Sequence, residues 1–439
     1  MDQATTLASD ESEEIPSGPP QHDSDPIIAS ILITLTFAAL AAIRLTIPSA
    51  PYFDEVHYIP AAREMLEGGI YRNQEHPLLG KELIAMGIVI FGDSAFGWRV
   101  MPWLAGTLAL FAGMRAMWFA TESRFSSLAF GVLLASGFIL FVQSRIAMLD
   151  IFMMSALSVA AWQFAAAIRE PEKGRTRLIL CGIALGAAIS SKWNAIPLAT
   201  LPGLAFLAAR IAADRRRPLF SKRGIPVPGV SLFEAGVWLG LVPVSLYLTS
   251  FLPAWNLQDS PLPSLGLAGM QEHMLGLQTQ TLNPHPYEST LAEWLINWRA
   301  IWYLYDPVDG AQRGVMLIGN PLTMLLGLPA LIWCTVSGFT ERNWTKLAII
   351  VGFVTSIGLW VFAEKSVQYY YHYFVPSCFL LAALTLALDA LWQSGRRKIA
   401  SAILLASVAL FAWFYPILSA APLEDRSSFA TWTWLASWT

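Results

Sequence analysis

Residues 27–58 read IIASILITLTFAALAAIRLTIPSAPYFDEVHY, and this stretch decides the architecture. Its first part, 27–47, is an apolar run interrupted by one charge, Arg44. A hydrocarbon core about 30 Å thick needs roughly 20 such residues as helix, so the run reads as a membrane span. It stops at Pro48, and a few residues later two acids stand side by side, Asp54 and Glu55. Working outward, apolar runs recur as far as Leu418, near 99–119, 126–143, 148–168, 177–191, 194–212, 231–252, 315–337, 346–363, 372–392 and 399–418. The pattern predicts an all-α polytopic membrane protein with about eleven spans. The apolar piece 83–91 is too short to cross and reads as interfacial or re-entrant.

Composition excludes a set of soluble domains. Of 439 residues, 55% are hydrophobic and 13% charged, and the mean hydropathy is +0.51. Cys181, Cys334 and Cys378 all fall inside apolar runs, so they read as small buried hydrophobes and no disulfide is expected. No nucleic-acid partner is expected either; the partners of such a chain are membrane lipids and lipid-linked molecules.

Orientation follows from Lys and Arg in short loops. Arg169, Lys173, Arg175 and Arg177 share one loop, Arg210, Arg215, Arg216, Arg217, Lys222 and Arg223 a second, and Arg396, Arg397 and Lys398 a third. With eleven spans these loops fall on one side, which should be cytoplasmic. Residues 1–26 are polar, acidic and free of Lys and Arg, a disordered cytoplasmic tail without the basic start of a signal peptide. Residues 27–418 form the membrane domain, and 419–439 are a short outer tail. Two outer loops, 48–98 and 253–314, are long enough to carry chemistry.

In the first loop, Pro60 and Gly68-Gly69 bracket a short surface helix that would hold Asp54 and Glu55 at the bilayer's edge. The pair can be read as solvated charges at a helix entry. It can also be read as two working groups. Neighbours on a helix point about 100° apart, so the acids suit different partners, one taking a substrate proton and the other anchoring a cation. Asp54, Glu55, His57, Glu75 and His76 could ligate an ion, but their spacing fits no standard zinc pattern, and no divalent metal is expected to be required. The outer face also holds cations that a positive-inside bias should remove: Arg63, Arg72, Lys81, Arg99, Arg145, Lys192, Arg299, Arg313 and Lys365. Such a collection suggests an anionic ligand, and membranes offer lipid phosphates.

These segments resemble a known family. Asp54-Glu55-Val56-His57-Tyr58, His76-Pro77-Leu78-Leu79-Gly80-Lys81 and Gly97-Trp98-Arg99 are similar to the first luminal loop of protein O-mannosyltransferases, which are GT-C membrane glycosyltransferases. Leu78 stands where the usual motif has a second proline. Arg145 to Asp150 resembles the family's Arg…Leu-Asp element, and Ser191-Lys192-Trp193-Asn194 its Lys-Trp element. Asn283-Pro284-His285-Pro286-Tyr287-Glu288-Ser289, Trp294 and Arg299 to Tyr305 resemble the bacterial members. Eukaryotic members carry β-trefoil repeats where this chain has about 60 residues, so the likeness is to the bacterial type.

The resemblance implies a GT-C bundle and an inverting transfer of mannose from a polyprenyl-phosphate carrier to Ser or Thr of an exported protein, at the periplasmic face of the bacterial inner membrane. It implies catalytic roles for Asp54 as base and for Glu55 paired with Arg99. The roles at the phosphate come from the residues rather than the resemblance: Lys81, Arg145 and Lys192, from three separate outer turns, are expected to supply at least two contacts to the donor phosphate, with Arg299 and Lys365 next in line. His57, His76, Asp150, Trp193, His285, Tyr287 and Arg299 would line the substrates. The nearest rival is a GT-C enzyme acting on a lipid or lipopolysaccharide acceptor, since aminoarabinose transferases also place an acidic pair in this loop. A transporter fits less well, because no internal repeat is visible and the ionisable residues gather at one face.

Overall fold

The computed structural model describes residues 23–439 except 215, 216, 218 and 364. Most of the expected N-terminal tail, together with Arg215 and Arg216 of the second basic loop, lies outside the described residues. The tail's last residues are anchored: the Asp25 carboxylate accepts from Arg115 Nη2 at 2.7 Å, and Asp23 accepts the Arg124 backbone N–H at 2.9 Å.

Helices α1 (Ile27–Ala42), α2 (Glu55–Glu67), α3 (Leu79–Phe91), α4 (Ala95–Thr121), α5 (Arg124–Ala135), α6 (Ile139–Gln143), α7 (Leu149–Arg169), α8 (Gly174–Ser191) and α9 (Ile196–Ala213) form the first half. The second half holds α10 (Leu232–Gly236), α11 (Val242–Thr249), α12 (Leu262–Gln278), α13 (Leu291–Leu295), a hairpin of β1 (Ile301–Val308) and β2 (Ala311–Leu317), then α14 (Pro321–Thr340), α15 (Trp344–Phe362), α16 (Phe374–Gln393) and α17 (Arg397–Leu418). Local sequence sets the boundaries. Ser94 and Ser123 accept the N–H groups of Gly97 and Ser126, which starts α4 and α5. Thr290 and Glu293 make a reciprocal capping box for α13. Gly68, at φ 66°, ends α2 in the left-handed conformation that glycine adopts without a Cβ penalty.

Among the described residues, 8 helices are long and apolar enough to cross a membrane. Three further expected spans are shorter or more polar: α1 has 16 residues, α5 has 12, and α8 carries Arg175 and Arg177 in its first turn. The span expected over 126–143 breaks near Phe138, whose φ is 72°. The span expected from 315 starts later, at Pro321, because residues 311–317 are strand β2. Asp309 and Gly310, both at positive φ, turn the chain between paired Val308 and Ala311, as a two-residue hairpin requires. The helical bundle therefore carries one small antiparallel hairpin.

Two features frame the working end. Residues 419–439 pack back onto the hairpin: Leu423 N–H donates to Gln312 O at 2.8 Å, and Trp302 Nε1 donates to Trp438 O at 2.8 Å. The ends of α1 and α17 are tied together, with Tyr415 Oη donating to Leu40 O at 3.0 Å and Arg44 Nε to Ser419 O at 3.0 Å. A groove of about 430 Å³ runs between α3, α4, α7 and α8, lined by Leu79, Leu83, Leu104, Leu108, Phe152 and Leu180 among others.

Candidate active site

The loop after α1 brings the two acids to opposite fates. Glu55 is fully buried and engaged from every side. Arg99 clamps it with two parallel bonds, Nε to Oε1 and Nη2 to Oε2, both 2.8 Å. The backbone N–H groups of Ala147 and Tyr52 complete it at 2.9 and 3.2 Å. Arg99, itself fully buried, donates its remaining hydrogens to the carbonyls of Leu45, Pro48 and Ala50. A bidentate pair with every lone pair occupied fixes a loop; it has nothing left for a substrate.

Asp54 is half-buried, and among the described residues its carboxylate makes no hydrogen bond or ion pair. Burial raises its pKa to about 6, with Lys192 acting to lower it and Asp150 to raise it. Lys192 donates to both Asp150 oxygens, at 2.9 and 2.8 Å, and sits over the Tyr371 ring 5.2 Å from its centroid. Lys365, on the connection between α15 and α16, makes no ion pair or hydrogen bond among the described residues. Burial, then Lys192, lower its pKa to about 8, while Asp150 and Asp54 act in the opposite sense. Among the described residues, an unpartnered carboxylate and an unpartnered ammonium thus share the electrostatic field of one buried ion pair.

The other expected cations are occupied. Arg145 donates to the carbonyls of Ala41, Ile43 (2.7 Å), Arg44 (3.0 Å) and Ser419 (3.3 Å). The carbonyls near the end of α1 lack intrahelical partners, and the two Nη groups supply them; among the described residues the Nε–H of Arg145 has no acceptor. Lys81 is fully buried and donates to Asn73 O at 2.6 Å and His76 O at 3.0 Å. Burial lowers its pKa to about 7. It fastens the loop before α3.

His76 is buried too, its Nδ1 3.2 Å from Gln278 Nε2, and burial followed by Lys192 holds its pKa well below the ordinary histidine range. His57 is exposed. Trp193 turns toward α11, donating to Tyr247 Oη at 2.8 Å. Exposed His285 packs against Tyr369 at 5.3 Å, and Tyr369 stacks on Tyr371 at 5.4 Å, so a line of rings leads inward from the surface. Tyr287 N–H donates to His285 Nδ1 at 3.1 Å, and Arg299 donates to Pro286 O, which shapes this loop. The hairpin contributes Tyr303, stacked on Phe53 at 3.9 Å, immediately before Asp54. Among the described residues, no three His, Cys, Asp or Glu side chains gather as a metal site would need.

Sequence reasoning missed His372 and Asn194. Both line a narrow cleft with Asp150, Ser356, Trp360 and Tyr371. Asn194 directly follows the Lys192-Trp193 pair, which was a usable signal; His372 lies within an aromatic run that reads as an interface belt.

Known proteins resemble this chain in sequence and in fold. The model of the dolichyl-phosphate-mannose-protein mannosyltransferase family matches residues 30–257, and the model of the C-terminal four-transmembrane region of protein O-mannosyltransferases matches 266–438. The chain is 29% identical to the polyprenol-phosphate-mannose–protein mannosyltransferase of Mycobacterium tuberculosis, over 94% of this chain and 91% of that one. It is 26% identical to the protein of the same name from Corynebacterium glutamicum, over 84% and 83%. The fold is similar to that of the donor-bound protein O-mannosyltransferase complex of S. cerevisiae, with TM-score 0.79, 14% identity and coverage of 94% and 93%. ArnT from Cupriavidus metallidurans bound to undecaprenyl phosphate is also similar, with TM-score 0.58, 17% identity and coverage of 87% and 64%. Two family models spanning nearly all of the membrane region leave one conclusion: the chain belongs to the dolichyl-phosphate-mannose-protein mannosyltransferase family.

Proposed function

We propose that this chain is a glycosyltransferase that moves mannose from a polyprenyl-phosphate carrier to a Ser or Thr hydroxyl of an exported protein. The names carried by the mycobacterial and corynebacterial relatives supply the donor and the acceptor class. The observation that carries the mechanism is the half-buried Asp54 carboxylate, without a partner among the described residues and within the electrostatic reach of Lys192, Asp150 and Lys365. The acceptor oxygen attacks the anomeric carbon while Asp54 takes its proton. The bond from that carbon to the phosphate oxygen breaks, and the lipid phosphate leaves with the electron pair. Lys192 and Lys365 stabilise the charge that develops on it. One displacement inverts the anomeric centre. The apolar groove between α3, α4, α7 and α8 suits the polyprenyl chain, since its lining is almost wholly aliphatic and aromatic.

The Lys/Arg-rich loops assign the opposite face to the cytoplasm, so the site opens toward the periplasm of a bacterial inner membrane. Residues 27–418 act as one catalytic membrane domain. The test is a transfer assay with purified protein, mannosyl-phospho-polyprenol and a Ser/Thr-rich peptide. Mannosylated peptide, lost in Asp54→Asn, is the expected result. Mannose appearing only on lipid would overturn the acceptor assignment.

A further inference from the structure

His372 sits on the turn before α16 and is 3% exposed. Its Nδ1 takes the Tyr369 backbone N–H at 3.0 Å. A backbone N–H can act only as a donor, so Nδ1 must be bare and the hydrogen of the neutral ring lies on Nε2. The ring cannot swing to satisfy it, because it is stacked on Trp360 at 3.9 Å with Tyr371 against it at 4.4 Å. Nε2 is sealed from solvent and has no partner among the described residues. A buried donor left unsatisfied in a native site calls for an account, either an ordered water or a bound group.

The surroundings say what kind. His372 lines the cleft together with Asp150 and Asn194. The Asn194 amide has no partner among the described residues, so it offers both a donor and an acceptor. Asp150 gives Lys192 one bond per oxygen and retains further acceptor capacity. The free volume is about 10 Å³, room for one water-sized group and not for a sugar ring. A phosphate oxygen, which only accepts, would face the Asp150 carboxylate unfavourably. A hydroxyl fits both sides, accepting from His372 and donating to Asp150. It would be bound rather than deprotonated, since Lys192 already neutralises Asp150, whereas the acceptor hydroxyl needs unpaired Asp54.

We infer that His372 and Asn194 form a subsite for one hydroxyl of the sugar being transferred, with the ring itself outside the cleft. The inference rests on the donor proposed above. It makes His372 a specificity-determining residue, because a pocket built to hydrogen-bond a hydroxyl rejects the analogue that lacks it far more strongly than an apolar pocket rejects a missing methylene.

The experiment measures binding of mannosyl-phospho-polyprenol and its monodeoxy analogues to the purified protein in detergent, followed by kcat and KM with a Ser/Thr-rich peptide. Wild type should discriminate against one deoxy analogue by up to roughly 10⁴-fold relative to the donor. His372→Phe keeps the stack on Trp360 but lacks the N–H, and should bind the donor and that analogue alike. His372→Gln restores a donor and should recover part of the discrimination. Asn194→Ala should reduce it against the same analogue. Equal loss toward all donors in His372→Phe would leave a merely structural ring, and undiminished discrimination would place the hydroxyl elsewhere; either result overturns the subsite. Donor binding needs no acceptor, so a wild type that discriminates in binding yet transfers nothing to peptide would sink the acceptor assignment and keep the subsite.

Discussion

Asp54 and Glu55 are neighbours in the chain and opposites in the fold. Glu55 has four hydrogen bonds and no exposure; Asp54 has a half-buried carboxylate and no partner among the described residues. The same split divides the cations. Arg99, Arg145 and Lys81 are bound to carbonyls or a carboxylate of the loops, while Lys192 is bound to Asp150 and Lys365 has no partner among the described residues. Charge at the membrane surface is therefore engaged in two ways: some groups are tied to the backbone or a carboxylate of the loops, and others, Asp54, Lys192 and Lys365, are the ones proposed to meet the substrate. Counting charged residues cannot separate the two; identifying their partners can.

The largest effect should come from the free acid. Asp54→Asn should lower kcat by about 10²–10⁴-fold, the usual value of a general base, with the melting temperature and donor binding nearly unchanged. A variant retaining a tenth of its turnover would remove Asp54 from the proton transfer. Glu55→Gln should behave in the opposite way. Leaving Arg99 buried without its countercharge should cost about 3–5 kcal/mol of stability, read as a fall in melting temperature and in yield of folded protein. If Glu55→Gln were as stable as wild type and merely slow, the distinction between the two acids would collapse.

A smaller effect separates the lysines. Lys365→Met should lower turnover by roughly a hundredfold at saturating donor, as removal of one charge-stabilising group does. Lys81→Met should instead loosen the loop around Asn73 and His76, seen as faster amide exchange there. Equal kinetic losses in both variants would mean that the free and saturated cations do the same work. The subtlest measurement is the pH profile. Asp54, raised to about 6 by burial, must be ionised to act, so kcat/KM should fall below that pH. Lys365, lowered to about 8 by burial, must be charged, so the rate should fall again above it. In Lys365→Arg the alkaline limb should move upward while the acid limb stays. An unmoved alkaline limb would assign it to another group.

Much of this was readable beforehand, for reasons visible in particular residues. Apolar run length gives the bundle, and the wide angle between adjacent positions at a helix start already suits Asp54 and Glu55 to different partners. The hairpin was harder. Val315, Met316 and Leu317 are as apolar as the helix that follows, so hydropathy merges them with α14, although Asp309-Gly310 carried a turn signal. The engagement of Arg145 and Lys81 was not legible, because their acceptors are backbone carbonyls, which every residue has and no sequence marks. The same applies to His372, whose Nδ1 is taken by the N–H of Tyr369.

The junction of α1 with α17 has a consequence for biogenesis. Arg44 and Ser419 are 375 positions apart, and Arg145 reaches across to the same Ser419 carbonyl. Contacts of such separation form late, since the intervening chain must first be threaded and ordered. The loop bearing Asp54 and Glu55 leaves the ribosome early, yet the tie that secures its root must wait for the final helix to insert. Throughout that interval a buried guanidinium and the carbonyls at the end of α1 have no complete set of partners. This makes the first loop the place where a stalled insertion would be exposed to membrane proteases.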